Sequence, residues 1–160
     1  MQDKLLKLLR KNARLSNEEL ATMLGVSTKE IANEIDNLEK NGTIRKYTTI
    51  VDEDKLGKNV VTARIEVKAT PEAKHGYKNI AKSIAKFPEV ETVYLMSGDH
   101  DLGVTVKCSD IKEIGQFVAE QLSAIDGVLS ISTHFVIGRY KELGEEIDVD
   151  DEDEREWVSP

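Results

Sequence analysis

Cysteine and long apolar runs are almost missing from this sequence, and each shortage excludes a class of protein. Cys108 is the single cysteine, so the chain cannot form an internal disulfide, and such cysteine usage fits a reducing cytoplasm. No apolar stretch approaches the length of a membrane-spanning helix, and residues 1–14 are amphipathic without the profile of a signal peptide. The sequence therefore predicts a cytoplasmic protein that has no membrane partner.

The motifs of the common enzyme classes are missing as well. The sequence has no phosphate-binding loop, no CxxC pair and no GxSxG nucleophile elbow. His75, His100 and His134 are too scattered for a recognisable metal motif. Asp99 and Asp101 flank His100 and could be read as catalytic, but short acidic turns are far more often hydrogen-bonded turn residues. We therefore predict no catalytic residue, no metal and no cofactor.

Residues 16–41 do carry a pattern, which consists of two helix starts separated by a glycine turn. Ser16 precedes Glu19 by three residues and Ser27 precedes Glu30 likewise, so each pair forms a capping box. Gly25 lies between them and can take the positive φ that ends the first helix. A shared apolar core at helical spacing is formed by Leu20, Leu24, Val26, Ile31, Ile35 and Leu38. The pattern favours a DNA-binding helix-turn-helix over an ordinary helical hairpin.

The flanks of this pair extend it to a winged helix-turn-helix domain over residues 1–51. Apolar positions in residues 3–11 predict a first helix, and residues 43–50 read as a strand after the Asn41-Gly42 stop. Residues 52–59 are polar and are predicted to be a linker. A strand in this position suggests the wing, where basic side chains can meet phosphate. Lysine suits guanine and asparagine suits adenine in the major groove. The predicted DNA-binding residues are Thr28, Lys29, Asn33, Asn37, Lys40, Arg45 and Lys46.

The charge of the chain is unevenly distributed. The net charge is −8, yet residues 1–50 hold nine Lys and Arg against seven Asp and Glu. Residues 51–140 hold eleven against thirteen, and residues 141–160 hold two against ten. The DNA-binding half is thus mildly basic. The acidic tail, residues 142–160, is predicted to be a disordered solubiliser, with a DNA mimic and a partner-binding tag anchored by Trp157 as alternatives.

Residues 60–141 alternate strand and helix patterns in the order β-α-β-β-α-β. The predicted elements are a strand at 61–67, a helix opened by Thr70-Pro71, strands at 90–96 and 102–107, a helix capped by Asp110 with Glu113 and carrying Ile111 in its apolar stripe, and a strand at 129–137. The fold class is α+β, a winged helix-turn-helix followed by a ferredoxin-like antiparallel sheet. Two helices cover one sheet face. The other face, which includes Val60, is predicted to be an apolar patch that a second subunit covers.

The chain resembles the Lrp/AsnC (feast/famine) family of transcription regulators over about residues 2–141. The most specific element is SGDHDLGVTVKCSD at 97–110, which is similar to the family's Gly-Asp-aromatic-Asp hairpin. Further similarity lies in LEKNGTIRKYT at 38–48, LG at 56–57 and GVLSISTHFVIGRYK at 127–141. The resemblance implies a sequence-specific regulator of double-stranded DNA that forms a homodimer or a higher oligomer.

The resemblance also implies a site for an amino acid or a related small effector, placed between subunits. Carried over to this sequence, the effector-binding residues are Ser97, Gly98, Asp99, His100, Asp101 and Thr133. The chain departs from the family at His100, where an aromatic residue is usual, and at Gly103, where a bulky apolar residue is usual. Glu34 replaces an arginine that many relatives carry in the recognition helix. The first two departures alter the shape of the pocket.

Two other functions remain open at this point. Siroheme decarboxylases resemble the same two-domain architecture, although the His and Arg residues of their porphyrin sites have no identifiable counterparts in this sequence. An effector-binding module with little DNA binding is the second alternative.

Overall fold

The computed structural model of the chain describes residues 1–147, apart from the side chain of Asp54. Two compact units are present, Met1–Ile50 and a unit that begins at Val51. Among the described residues, no helix has both the length and the apolarity needed to span a bilayer. The predicted acidic tail lies outside the described residues from position 148 onward.

The first unit is a bundle of three helices: α1 (Gln2–Lys11), α2 (Asn17–Leu24) and α3 (Thr28–Lys40). Both predicted capping boxes are present, because Ser16 and Ser27 each exchange hydrogen bonds with the glutamate three residues later. Gly25 ends α2 with a φ of 68°, as predicted. The helices close around a small core made of Leu5, Leu9, Leu20, Ala21, Ile31 and Leu38.

The prediction of a strand at residues 43–50 is wrong. Residues 45–50 have no regular secondary structure, and the segment makes no ladder with a strand in the described part of the chain. Its hydrogen bonds run back to α3 instead: Ile44 N donates to Leu38 O at 2.9 Å, and the Tyr47 hydroxyl donates to Glu39 Oε1 at 2.8 Å. A β-strand requires a neighbouring strand to satisfy its backbone groups, and this unit offers only helices.

The second unit has the predicted βαββαβ order. Its elements are β1 (Val61–Ala69), α4 (Lys78–Ile84), β2 (Val90–Leu95), β3 (Leu102–Cys108), α5 (Ile111–Gln116) and β4 (Val128–Phe135), with a 3₁₀ turn at Asp54–Leu56 before β1. α5 continues as a π-helical segment, Phe117–Leu122. The four strands pair antiparallel in the order β2-β3-β1-β4, which confirms the ferredoxin-like fold.

The core of the second unit lies between the sheet and the helices. β1 alternates strictly, so Ala63, Ile65, Val67 and Ala69 are buried on the helix-covered face. They pack against apolar side chains of α4 and of the α5 region: Ile80, Ile84, Ile114, Phe117 and Leu122. The opposite face of the sheet, called the open face below, has no helix of the second unit's described residues upon it.

The prediction that the open face is apolar is wrong. Strand register identifies most of its side chains as polar or charged: Thr62, Arg64, Glu66, Lys68, Thr92, Thr105, Lys107, Ser132 and His134. The apolar exceptions Tyr94 and Met96 lie beside Gly103. Most of the exposed large apolar side chains lie elsewhere; three of the most exposed, Ile137, Tyr140 and Leu143, follow β4.

Two helix predictions also need correction. Helix α4 begins at Lys78 and not at Thr70-Pro71, because residues 72–76 close a tight turn first. In that turn Glu72 and Gly76 exchange backbone hydrogen bonds of 2.9 and 2.8 Å, and Gly76 has a φ of 56°. The Asp110 cap is present, with Glu113 N donating to Asp110 Oδ1 at 2.8 Å. Ile111 is 60% exposed, however, because the first residue of this helix points away from the sheet.

The acidic stretch does not begin as an unstructured tail. Residues 141–146 form a small hairpin of β5 (Lys141–Glu142) and β6 (Glu145–Glu146). Leu143 and Gly144 turn the chain with φ values of 48° and 96°. Positive φ at both central residues is the geometry of a tight hairpin turn, for which Asn-Gly is a far commoner pair than Leu-Gly.

Candidate DNA-binding and effector-binding sites

The predicted DNA contacts on α3 share one exposed surface. Lys29, Asn33, Asn37 and Lys40 are spaced by four, four and three residues, and all four side chains are exposed. The buried positions on the opposite side are Ile31 and Leu38. Thr28 is exposed at the first turn of the helix. The helix therefore presents cations and amides together on the side away from its core.

Charges on this surface are not equally available. Lys40 Nζ forms an ion pair with Asp36 Oδ2 at 2.6 Å, one helical turn away. Lys29 forms no ion pair within the described part of the chain. Glu34 is half-buried at the flank of the helix. Lys29 can therefore bind a nucleic acid directly, whereas Lys40 must first break its ion pair with Asp36.

The predicted backbone contacts, Arg45 and Lys46, follow α3 directly and are exposed. The Arg45 guanidinium packs over Gly42, where a Cβ would lie 3.1 Å from Arg45 Cζ. Gly42 has a φ of 76°, so glycine suits both the turn and this close approach.

A hydrogen bond not predicted from the sequence holds this segment against α3. The Tyr47 hydroxyl donates to Glu39, and burial, followed by this hydrogen bond, raises the pKa of Tyr47 above its usual value. Glu39 is on α3 and Tyr47 lies beyond the end of that helix, so no periodicity within a single element signals the contact.

In the second unit, the turn at residues 97–101 joins β2 to β3, and Asp101 fastens it to the rest of the unit. Its Oδ2 accepts from Ala69 N at 2.9 Å, and its Oδ1 accepts from the Tyr77 hydroxyl at 2.8 Å. Its own N–H donates to Val67 O at 3.0 Å. The hydrogen bond from Ala69, followed by that from Tyr77, lowers the pKa of Asp101. Asp101 is therefore a structural brace in this chain.

The rest of the 97–101 turn is more accessible. Ser97, Gly98 and Asp99 are exposed, and Asp99 makes no side-chain hydrogen bond within the described residues. Gly98 has a φ of 137°, a conformation that side chains strongly disfavour. The tip of the turn thus combines a backbone conformation that favours glycine with the exposed carboxylate of Asp99.

His100 points from the turn onto the open face, where a polar cluster was not predicted. His100 Nδ1 and His134 Nε2 each lie 3.5 Å from Glu66 Oε2. Ser132 Oγ lies 3.2 Å from His134 Nε2. Within the described chain, no three His, Cys, Asp or Glu side chains have the arrangement of a metal site. The period-two alternation of residues 61–67 and 129–137 already placed Glu66, Ser132 and His134 on the outward face.

Thr133 is not brought to the 97–101 turn within one chain. It pairs with Ile65 across the sheet, and directly opposed residues of two strands share a face. Thr133 therefore lies on the helix-covered face, whereas His100 reaches the open face. Neither of two cavities in the second unit, of about 470 and 560 Å³, is lined by any of residues 97–101.

The absence of a side chain at Gly103 leaves a space that Met96 fills. The Met96 side chain occupies the space above it, with Met96 Cγ 3.3 Å from the position of a Cβ at residue 103. A flexible thioether from β2 thus fills the volume that a bulky residue at position 103 would take.

Comparisons with known proteins agree with both units. The family model described as winged helix-turn-helix DNA-binding matches residues 4–45, and that of the Lrp/AsnC ligand binding domain matches residues 62–145. The uncharacterized HTH-type transcriptional regulator YugG of Bacillus subtilis is 39% identical over 160 residues, covering 99% of this chain and 96% of the relative.

Solved structures share the fold over nearly the whole described chain. An AsnC family transcriptional regulator from Agrobacterium tumefaciens has a TM-score of 0.70 at 26% identity, covering 92% of this chain and 94% of that one. A transcriptional regulator from Neisseria meningitidis, solved as a complex with L-methionine, has a TM-score of 0.68 at 24% identity, covering 88% and 90%. This chain belongs to the Lrp/AsnC family and is a transcription regulator that joins a DNA-binding helix-turn-helix to a ligand-binding domain.

Proposed function

We propose that the chain recognises specific DNA sequences through the exposed surface of α3 and gains general affinity from Arg45 and Lys46. The observation that carries this proposal is the shared exposed face of Lys29, Asn33 and Asn37 on a doubly capped helix pair. Amides and amines at this spacing suit base edges, whereas the Arg45-Lys46 pair suits phosphates. Residues 1–51 would form this DNA-binding domain, with 52–59 as linker and 60–141 as effector and oligomerisation domain.

Selection of bound fragments from the organism's own fragmented genome tests the DNA proposal. The intact protein should enrich a few discrete sites at moderate salt, because base contacts add to the electrostatic affinity. The matched control is a variant with Lys29, Asn33 and Asn37 all replaced by Ala, which retains the fold. Equal enrichment of all fragments by the intact protein would contradict sequence-specific recognition.

We further infer that the 97–101 turn forms a site for an amino acid or a related small metabolite. The structural neighbour from Neisseria meningitidis carries L-methionine in its crystal, and its fold is that of this chain. Here the exposed tip of the turn offers the Gly98 backbone and the Asp99 carboxylate to such a ligand. Calorimetric titration with the standard L-amino acids tests the proposal, and silence with every one of them would contradict it.

A homodimer or a higher oligomer is proposed to complete that site. Thr133 and the 97–101 turn do not meet within one chain, so a second copy must supply the missing wall if both contact the effector. Ile137, Tyr140 and Leu143 are exposed apolar side chains that a second copy would cover. Light scattering at micromolar concentration should give at least twice 17.9 kDa; a stable monomer would contradict the proposal.

We propose regulation and not catalysis for the second unit. The relatives matched over most of the chain are named transcriptional regulators. The carboxylate of Asp101, one of the pair that could be read as catalytic, is engaged in holding the turn.

A further inference from the structure

The larger of the two cavities described above, of about 560 Å³, has no part in the functions proposed so far. It is lined by outward side chains of β1, β2 and β3 together with most of residues 136–143, the segment that follows β4. A cavity of this size accommodates a small organic molecule. We propose that it binds a small metabolite through a phosphate monoester group. None of residues 97–101 lines it, so this site is separate from the proposed effector site.

The charged side chains that line the cavity give it an excess of two positive charges. Four are cationic and two are carboxylates: Arg64, Lys107, Arg139, Lys141, Glu91 and Glu142. This local excess is opposite in sign to the net charge of the whole chain, which is −8. A phosphate monoester carries about −1.5 to −2 charges at pH 7, which balances the excess, whereas a single carboxylate balances only half of it.

Arg64 is the cation of the cavity that is best suited to hold the phosphate. It projects from β1 and forms no ion pair or side-chain hydrogen bond within the described residues. Lys107, by contrast, pairs with Glu91 at 3.1 Å. A guanidinium presents its N–H donors as a planar fork that matches two phosphate oxygens at once. Arg64 can therefore bind the ligand without first breaking a contact in the protein.

Thr92 adds a hydroxyl that the protein itself leaves unused. Its Oγ1 is buried, yet it has no hydrogen-bond partner within the described residues. Strand register places Thr92 opposite Thr105 and Thr105 opposite Arg64, so the three residues form one row across the open face. All three line the cavity. A phosphate above Thr105 would lie between Arg64 and the Thr92 hydroxyl and would supply the missing acceptor.

The segment after β4 supplies the remaining wall. Its first residue is fastened to the sheet, because Val136 N donates to Thr62 O at 2.9 Å. Further along, Tyr140 folds back on the segment, with its ring 3.8 Å from the position of a Cβ at Gly138. Tyr140 and Tyr94 both line the cavity and remain 76% and 60% exposed. Their rings are available to cover the organic part of the ligand.

Phosphorus-31 NMR of the full-length protein tests the proposal with inorganic phosphate, ribose 5-phosphate and AMP as probes. At least one ester should bind the wild type more tightly than its counterpart without phosphate, ribose or adenosine. Arg64→Gln should weaken that ester about tenfold to hundredfold, the usual effect of losing hydrogen bonds to a charged group. Arg64→Lys should restore part of the affinity, since it keeps the charge but not the fork. Lys68→Gln is the matched control, because Lys68 also projects outward from β1 but does not line the cavity.

Thr92→Val is a second variant that tests the unused hydroxyl. The two side chains have nearly the same shape, so affinity for the ester should fall about tenfold, as expected for one hydrogen bond to a charged group. The melting temperature without ligand should not fall, because the hydroxyl has no partner to lose within the described residues. Unchanged affinity in Thr92→Val would remove Thr92 from the site. Circular dichroism confirms the fold of each variant.

Four results would overturn the phosphate site. They are no binding of any probe by the wild type, equal affinity for an ester and its counterpart without phosphate, equal losses in Arg64→Gln and Lys68→Gln, and displacement of the bound ester by duplex DNA. The third would indicate general electrostatic attraction, and the fourth would assign the cavity to a nucleic-acid backbone. Each result leaves the amino-acid titration of the 97–101 turn unaffected, so the two sites are tested independently.

Discussion

The two units of the chain build their candidate sites in opposite ways. In the first unit the proposed DNA contacts come from one helix and the six residues that follow it. In the second unit the candidate effector groups come from the turn between β2 and β3 and from β4. A helix places side chains by its own period, whereas a sheet brings together residues that are far apart in the chain. The arrangement of the first site therefore depends on one local element, whereas that of the second depends on contacts between distant parts of the chain.

The largest effect should follow from Ile31→Ala, which removes a fully buried side chain from α3. Truncation of a buried isoleucine costs about 2–5 kcal/mol, a large share of the stability of a three-helix unit. DNA binding should be lost while the signal of the folded sheet persists in circular dichroism. Met23→Ala is the control, since Met23 is 58% exposed. Simultaneous loss of both units would show that they do not fold independently.

A smaller effect should separate base recognition from phosphate recognition on the DNA-binding unit. Asn33→Ala should reduce discrimination between cognate and non-cognate DNA by about 1–3 kcal/mol. Arg45→Ala should weaken both DNAs alike and reduce the slope of log affinity against log salt by about one. Fluorescence anisotropy over a range of salt concentrations measures both quantities. If Arg45→Ala changes sequence preference, Arg45 contacts bases and the division between the helix and the following segment is wrong.

Asp101→Asn should destabilise the second unit in a pH-dependent manner. The folded pKa of Asp101 is lowered, so its contribution to stability is fully present above the unfolded pKa and is lost as the pH falls through the folded pKa. The melting temperature of the variant should therefore lie below that of the wild type at neutral pH and approach it in strong acid. Asp99→Asn, on the exposed tip of the same turn, should leave the melting temperature unchanged at every pH.

The smallest effect is expected from Tyr47→Phe, which removes the hydrogen bond to Glu39 on the surface of the first unit. The loss of stability should be about 0.5 kcal/mol, because water can replace the lost hydroxyl as the hydrogen-bond donor to the exposed Glu39 carboxylate. DNA affinity should fall slightly, since Arg45 and Lys46 would be held less firmly beside α3. A Glu39→Gln variant keeps an acceptor for the hydroxyl and should behave like the wild type in chemical denaturation.

Predictions from the sequence succeeded where neighbours in the chain interact. The two capping boxes, the Gly25 turn and the Asp110 cap are present because each depends on residues within a few positions of one another. The strand at 43–50 failed because strand formation depends on a partner that this unit does not have. The prediction that α4 begins at Thr70-Pro71 is wrong, because residues 72–76 form a closed turn in place of the first helical turn.

The candidate effector site shows the same division. The 97–101 turn was predicted from its polar residues, and the family resemblance implied its role as an effector site. The role of Asp101 depended on Ala69 and Tyr77, which lie 32 and 24 residues away in the chain. Strand register placed Thr133 opposite Ile65, on the helix-covered face, and brought His134 to Glu66. Alternation along a strand shows which of its residues share a face. It does not show which residues of another strand lie opposite them.

Local sequence was therefore sufficient for the helix-turn-helix, for the βαββαβ order and for the position of the turn that carries the candidate site. Capping, helical periodicity and strand alternation act over a few residues and are visible in the chain itself. Only the folded chain reveals that Asp101 is a brace and that Glu66 stands between two histidines. These features arise from pairing between strands that are distant in sequence, and the geometry of that pairing is set by the packing of the whole unit.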